Sequence, residues 1–258
     1  SPLECLGTFE AAASAKGAYY SAAFILRTVA AMELDIDPDE IDISCLRAVP
    51  RPDGGFAGEI ILSDHLPNGA GFVEWMAQRL DWLLKESLGT GVRNLFFDEI
   101  TKAAHREACD LSCPDCIRHY RNLSYHGLLD WRLGLSLLRI LKDGSHQCGL
   151  DADIPFAEAF AFPELADWPL YAGKLRDQLC ENFHWSPAVF GELPGFTFRD
   201  ASNRVRNGVM IHPLWSRDAI AGRLAVSVAE AGDPDEVILA DTFNLARRMS
   251  WAYQQWLQ

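Results

Sequence analysis

Cys109-Asp110-Leu111-Ser112-Cys113-Pro114-Asp115-Cys116 places three thiols within eight residues, the last two spaced as CxxC. A tight turn between them brings such thiols to one point, and Pro114 favours that turn by fixing its own φ. Thiolates are soft ligands, so the pattern reads as a metal knuckle with zinc in a structural role. A closed structural site takes four ligands, and this stretch supplies three. The bland alternative is a trio of reduced, partly buried cysteines binding nothing, which would make the chain a metal-free interaction platform open to oxidation.

The rest of the chain must fold around that knuckle. Of 258 residues, 49% are hydrophobic, enough for a substantial core in one large domain or two smaller ones. Tyr20, Phe24, Ile25, Leu26, Val29 and Met32 recur at helical spacing, predicting an amphipathic helix over 18–33. Two strands, over 42–49 and 56–63, flank the turn residues Arg51-Pro52-Asp53-Gly54-Gly55 and predict a β-hairpin. Helices are expected over about 72–87, over 92–108 leading into Cys109, and over 128–141 as a core helix.

Beyond Asp143-Gly144-Ser145-His146-Gln147-Cys148-Gly149 the chain changes character. Pro155, Pro163, Pro169, Pro187 and Pro194 cut it into short pieces, which suggests a boundary near residue 150. Residues 1–150 then form one domain and 151–258 a smaller mixed α/β unit. In the latter we expect helices over 174–183 and 218–231, and short strands over 195–199, 208–212 and 236–240. The fold class expected is α+β: a helix, a β-hairpin and further helices around the cysteine knuckle, followed by the smaller α/β unit.

Several function classes are disfavoured. A formal charge of −13 opposes any general coating of nucleic acid, so a contact with phosphate must come from a local patch. No apolar run has the length of a membrane span, and no GxxxxGK[ST] is present to hold ATP phosphates. Seven cysteines, clustered rather than spread as a disulfide framework, suit a reduced cytoplasmic setting. The first residue is Ser, and we expect a piece excised from a longer protein. The glycine loop Asn68-Gly69-Ala70-Gly71 ahead of a helix either cradles an anion on its free N–H groups or packs closely on that helix.

Three separated stretches together resemble the MrfA-type zinc-binding domain found in some superfamily-two DNA helicases and in anti-phage proteins such as the DISARM helicase partner. They are Glu33-Leu34-Asp35-Ile36 closing the first helix, Ile60-Ile61-Leu62-Ser63-Asp64-His65-Leu66-Pro67-Asn68-Gly69-Ala70-Gly71, and the knuckle continuing through Tyr120-Arg121-Asn122 to His126 and Leu129-Asp130. The resemblance runs from about Tyr19 to Lys142. It implies a zinc ion held by four cysteines, usually CxC followed by CxxC, with Cys109, Cys113 and Cys116 matching the last three. Glu107 occupies the first position, which leaves the fourth ligand among His105, Glu107, His119, His126, Cys45 and Cys148, with His105 first by proximity. His126 has two other roles open to it, capping the helix that follows and pairing with Asp130. The resemblance further implies a helicase core as partner, in cis or in trans, and carries over no catalytic residue.

Residues 151–258 lie outside that resemblance. Between 199 and 223, five arginines (Arg199, Arg204, Arg206, Arg217 and Arg223) stand against two aspartates, with Trp215 and His212 nearby. This is the candidate DNA contact, weighed against solvated arginines pairing with an acidic chain. Asp200, His212 and Asp241 form a second candidate, a metal-dependent nuclease centre. The sequence His105-Arg106-Glu107 followed by CxxC superficially matches a zinc deaminase, but those two elements need separate helices and an intervening strand that six residues cannot supply.

Overall fold

The first helix is rich in small side chains. In the computed structural model, which describes residues 13–52, 56–66, 68–149, 168–217 and 220–257, α1 spans Ala13–Leu34 and buries Ala15, Ala18, Ala22, Ala23, Ala30 and Ala31 as well as Phe24, Ile25 and Val29. It is therefore buried on nearly all sides rather than amphipathic, because alanine and serine let neighbours approach wherever the larger residues do not point. Even Arg27 is buried, its guanidinium 3.4 Å from Asp39 and stacked over the Phe24 ring.

The described residues divide into two compact units, one ending at His146 and the other beginning at Gln147. In the first, the hairpin is made of four short strands: β1 (Ile41–Ile43), β2 (Arg47–Pro50), β3 (Phe56–Glu59) and β4 (Leu62–Asp64). β1 pairs antiparallel with β4, and β2 with β3. The two expected strands are each interrupted, because side chains take over the backbone groups at the break. Ser44 Oγ accepts from the Ile61 N–H at 2.8 Å, and the Tyr20 hydroxyl accepts from the Leu46 N–H at 2.9 Å. Asp53, Gly54 and Gly55 of the expected turn lie outside the described residues.

The expected helix over 72–87 is two, α2 (Phe72–Gln78) and α3 (Leu80–Ser87), broken at Arg79. The one over 92–108 is also two, α4 (Leu95–Thr101) and α5 (Ala103–Ala108), with Lys102 extended between them at ψ 141°. Periodicity carries across such breaks because a single residue out of helical geometry leaves the apolar spacing intact. The glycine loop before α2 does hold an anion, an internal one: Asp64 accepts from the N–H groups of Gly71 (2.7 Å) and Val73 (2.9 Å). α6 (Trp131–Lys142) is capped by Asp130, whose carboxylate accepts from the Leu133 N–H, and packs along α1.

The second unit contains α7 (Trp168–Phe183), β5 (Ser186–Phe190), β6 (Leu193–Arg199), β7 (Val205–Ile211), α8 (Gly222–Ala231), β8 (Ile238–Asp241) and α9 (Thr242–Trp256). The sheet order is β5-β6-β7-β8; the first three strands form an antiparallel meander, and β8 returns parallel to β7 through α8. A single parallel pair needs a crossover of this kind. β5 and α9 escaped the sequence reading. Trp185, Phe196, Phe198, Tyr253 and Trp256 stack into one aromatic cluster joining the sheet to α9. Among the described residues, no helix is long and apolar enough to cross a membrane.

Candidate metal centre

His105 and Cys109 are four residues apart at the end of α5, a spacing that puts two side chains on one helical face. The chain then leaves the helix with Cys109 in extended conformation (φ −126°, ψ 92°) and loops back through Cys113 and Cys116. The Cys113 carbonyl accepts from the N–H groups of both Cys116 and Arg118 at 3.1 Å, and the Cys113 N–H donates to Cys116 Sγ at 3.1 Å. This is the tight knuckle that CxxC spacing calls for, with a backbone amide pointed at a ligand sulfur.

One ligand atom from each of His105, Cys109, Cys113 and Cys116 falls within 4.8 Å of all the others. Cys109 Sγ lies 4.0 Å and Cys113 Sγ 3.8 Å from Cys116 Sγ, and His105 Nε2 lies 3.4 Å from Cys113 Sγ. A tetrahedral zinc with bonds of about 2.3 Å to sulfur and about 2.0 Å to nitrogen sets its S···S edges at about 3.8 Å and its S···N edges at about 3.5 Å. These three edges match such an ion, and the remaining three are no longer than 4.8 Å.

The surroundings fix the donors' orientation. His105 Nδ1 donates to the Ile100 carbonyl at 2.7 Å, which leaves the Nε2 lone pair facing the thiols. The loop is tied to the start of α6: Trp131 N donates to Leu111 O (2.9 Å), Ser112 Oγ to Leu129 O (3.1 Å), and Arg132 to Asp110 O (2.8 Å). Cys109 and Cys116 are each 3% exposed, so the cluster is closed to bulk water on that side.

Without a metal the three sulfurs share their protons unequally. The thiol of Cys109, together with the N–H groups of Cys113 and Ile117, donates to Cys116 and brings its pKa down to about 5. Its role as that donor pushes Cys109 up, and burial pushes Cys113 up. A cation replacing those protons would be held by three thiolates and a neutral imidazole.

The other candidate ligands lie elsewhere. Glu107 is exposed, Cys45 is exposed, and His119 and His126 flank the 3₁₀ segment Tyr120–Tyr125 outside the cluster, the His119 backbone N–H and His126 Nε2 both meeting Asn122 Oδ1. Cys148 is buried in the second unit. The candidate nuclease trio does not assemble: among the described residues the cluster at His105 is the one grouping of three or more such donors. Asp200 is bound by Arg204. Asp241 caps α9 through the Asn244 N–H and pairs with Arg217, and His212 Nδ1 accepts from the Leu214 N–H beneath Trp168.

The candidate DNA-contact arginines have partners of their own. Arg199 donates to Asn203 O, Arg204 to Asp200, Arg206 to Glu236 O, and Arg217 to Asp241. Trp215 is 8% exposed, packed on Trp168 with its N–H on Cys148 O, so it offers no free ring to a base.

Comparison with a family model bears on the first unit. Residues 22–117 match the family model of the MrfA Zn-binding domain, a span that contains all four clustered donors. The chain is also 34% identical over 125 residues, 47% of its own length, to Druantia protein DruE from Escherichia coli (strain UMEA 4076-1). That stretch spans 6% of the length of the relative. No solved structure matches.

Proposed function

We propose that this chain is a zinc-stabilised, non-catalytic module of a DNA helicase or anti-phage defence protein, with the ion held by His105, Cys109, Cys113 and Cys116 and DNA contacted by the second unit. The observation that carries the reading is the convergence of four donors within 4.8 Å of one another, with the His105 imidazole oriented by Ile100. Zinc supplies a cross-link there. Four protein donors fill a tetrahedral ion, so no coordination position remains for water or substrate, and the centre holds a fold rather than performing chemistry. It would fasten α5 to the loop that docks on α6, on a scaffold whose own helices α4 and α5 are only seven and six residues long.

The match to the MrfA Zn-binding domain and the similarity to a Druantia protein support the helicase or defence setting, with the ATP-hydrolysing core supplied elsewhere in the same chain or by a partner. The test is elemental analysis of the purified chain beside Cys113→Ser and Cys116→Ser variants. About one zinc per chain, lost in both variants together with cooperative unfolding of the first unit, is the expected result. A stably folded chain without metal would overturn it.

A further inference from the structure

α9 carries no acidic residue, and from Thr242 to the C-terminus the sequence holds Arg247 and Arg248 but neither Asp nor Glu, in a chain with 36 of them. α9 is kinked at Arg248 (φ −152°, ψ 50°), and across that kink direct contacts still join Asn244, Arg248 and Trp251 in a row, Asn244 holding the Arg248 guanidinium beside the indole. Trp251 is 46% exposed, although the aromatic residues inside the unit bury theirs far more deeply, and the Arg248 guanidinium lies 4.3 Å over its ring.

The charged groups at the start of α9 are held in place. Asp241 accepts from Arg217 and from Asn244 Nδ2, and Asn244 Oδ1 accepts from both Nε and Nη2 of Arg248. Asp241's side chain is 5% exposed and Arg217's 52%, so the carboxylate is hidden and the guanidinium faces water. The far end of α9 repeats the arrangement. There the Leu257 carbonyl accepts from the Ala201 N–H in the β6–β7 turn, where Asp200 (3% exposed) anchors Arg204 (61% exposed).

We propose that the outer face of α9, from Arg217 and Arg248 past Trp251 to Arg204, is a binding strip for single-stranded DNA. The inference rests on the reading of the second unit as a DNA contact and specifies where and in which form. Buried carboxylates position exposed guanidiniums at both ends for phosphates, and an exposed indole between them offers a stacking face. Only unpaired bases present a free face to such a ring, which selects single strands over duplex. The occupant is chosen by charge, since a strip with exposed arginines and no exposed acid along α9 attracts a polyanion even on an acidic chain.

The experiment is fluorescence anisotropy of a labelled oligo(dT) of about 20 nucleotides and of a duplex of equal length, titrated with the full chain at increasing salt. Oligo(dT) is expected to bind more tightly than duplex. W251A should weaken that binding by about 5- to 100-fold, the range for removing one stacking aromatic, and W251F should retain it. R248Q should lower the salt slope by about one. If oligo(dT) binds but is indifferent to W251A and R248Q, the strip is wrong while the DNA reading stands. Duplex preference with the same indifference likewise overturns the strip alone. If neither DNA binds, both fail.

Discussion

The imidazole of His105 donates from Nδ1 to the carbonyl of Ile100 at 2.7 Å, and that bond turns Nε2 to within 3.4 Å of Cys113 Sγ. Ile100 lies in α4 and His105 in α5, so the kink at Lys102 brings a backbone carbonyl back to the ring. The break in the helix and the orientation of the fourth donor are therefore one structural fact.

His105→Ala is expected to lower zinc affinity by at least about 100-fold, the upper end of what loss of a supporting contact alone costs at such sites. His105→Cys, which supplies a thiolate from the same helical face, is expected to recover most of it. Competition against a chromogenic chelator reads both. Unchanged affinity in His105→Ala would remove the histidine from the ligand set.

Gly134 sits mid-helix in α6, where replacing glycine by alanine ordinarily stabilises by about 1 kcal/mol. Here an added Cβ would stand 2.8 Å from Ile25 Cδ1, 2.8 Å from Ser21 Cβ and 2.9 Å from the Ser21 carbonyl carbon. The Ile25 methyl can shift but the α1 backbone cannot, and overpacking of this kind costs about 1–3 kcal/mol. Gly134→Ala is therefore expected to destabilise the first unit on balance, measured as a lower urea midpoint at unchanged slope.

How far the residues alone revealed this molecule depended on range. The knuckle was legible because its ligands are close in sequence and thiols at CxxC spacing have few other uses. The grouping of His105 with them was suggested by nearness, yet its orientation depends on a carbonyl and a helix break that no pattern encodes. The breaks at Arg79 and Lys102 escaped because apolar spacing continues through them. α9 escaped although Leu245, Met249, Ala252 and Trp256 recur at helical spacing, its backbone being cut in two by the kink at Arg248. β5 escaped because its exposed residues alternate weakly and it is an edge strand carrying Pro187, which usually argues against a strand.

Glu86 lies at the end of α3, is 3% exposed, and accepts from three successive backbone N–H groups: Val92 (2.7 Å), Arg93 (3.1 Å) and Asn94 (2.6 Å). That carboxylate shapes the loop that starts α4 and so sets where Ile100 meets His105. Glu86→Gln keeps the volume but replaces one accepting oxygen by a donor facing donors. It is expected to cost about 2–3 kcal/mol, as for a buried charge-assisted bond left unmade. Thermal unfolding of the zinc-loaded chain measures it.

Acid should act on the second unit through Asp200. The Arg204 N–H and guanidinium and the Ser202 N–H all donate to its carboxylate and hold its pKa below the usual carboxylate range. A carboxylate more acidic in the folded state than in the unfolded one stabilises the fold fully above its unfolded pKa of about 3.9, and that contribution is lost as pH falls through the lower folded value. Stability of the second unit is therefore expected to decline from about pH 5 downward. In Asp200→Asn stability should be lower at about pH 7, where the charged bonds are missing, and the acid decline shallower. Urea unfolding followed by tryptophan fluorescence at about pH 7, 5, 4 and 3 separates the two. Parallel declines in wild type and variant would mean that a different group carries the acid sensitivity.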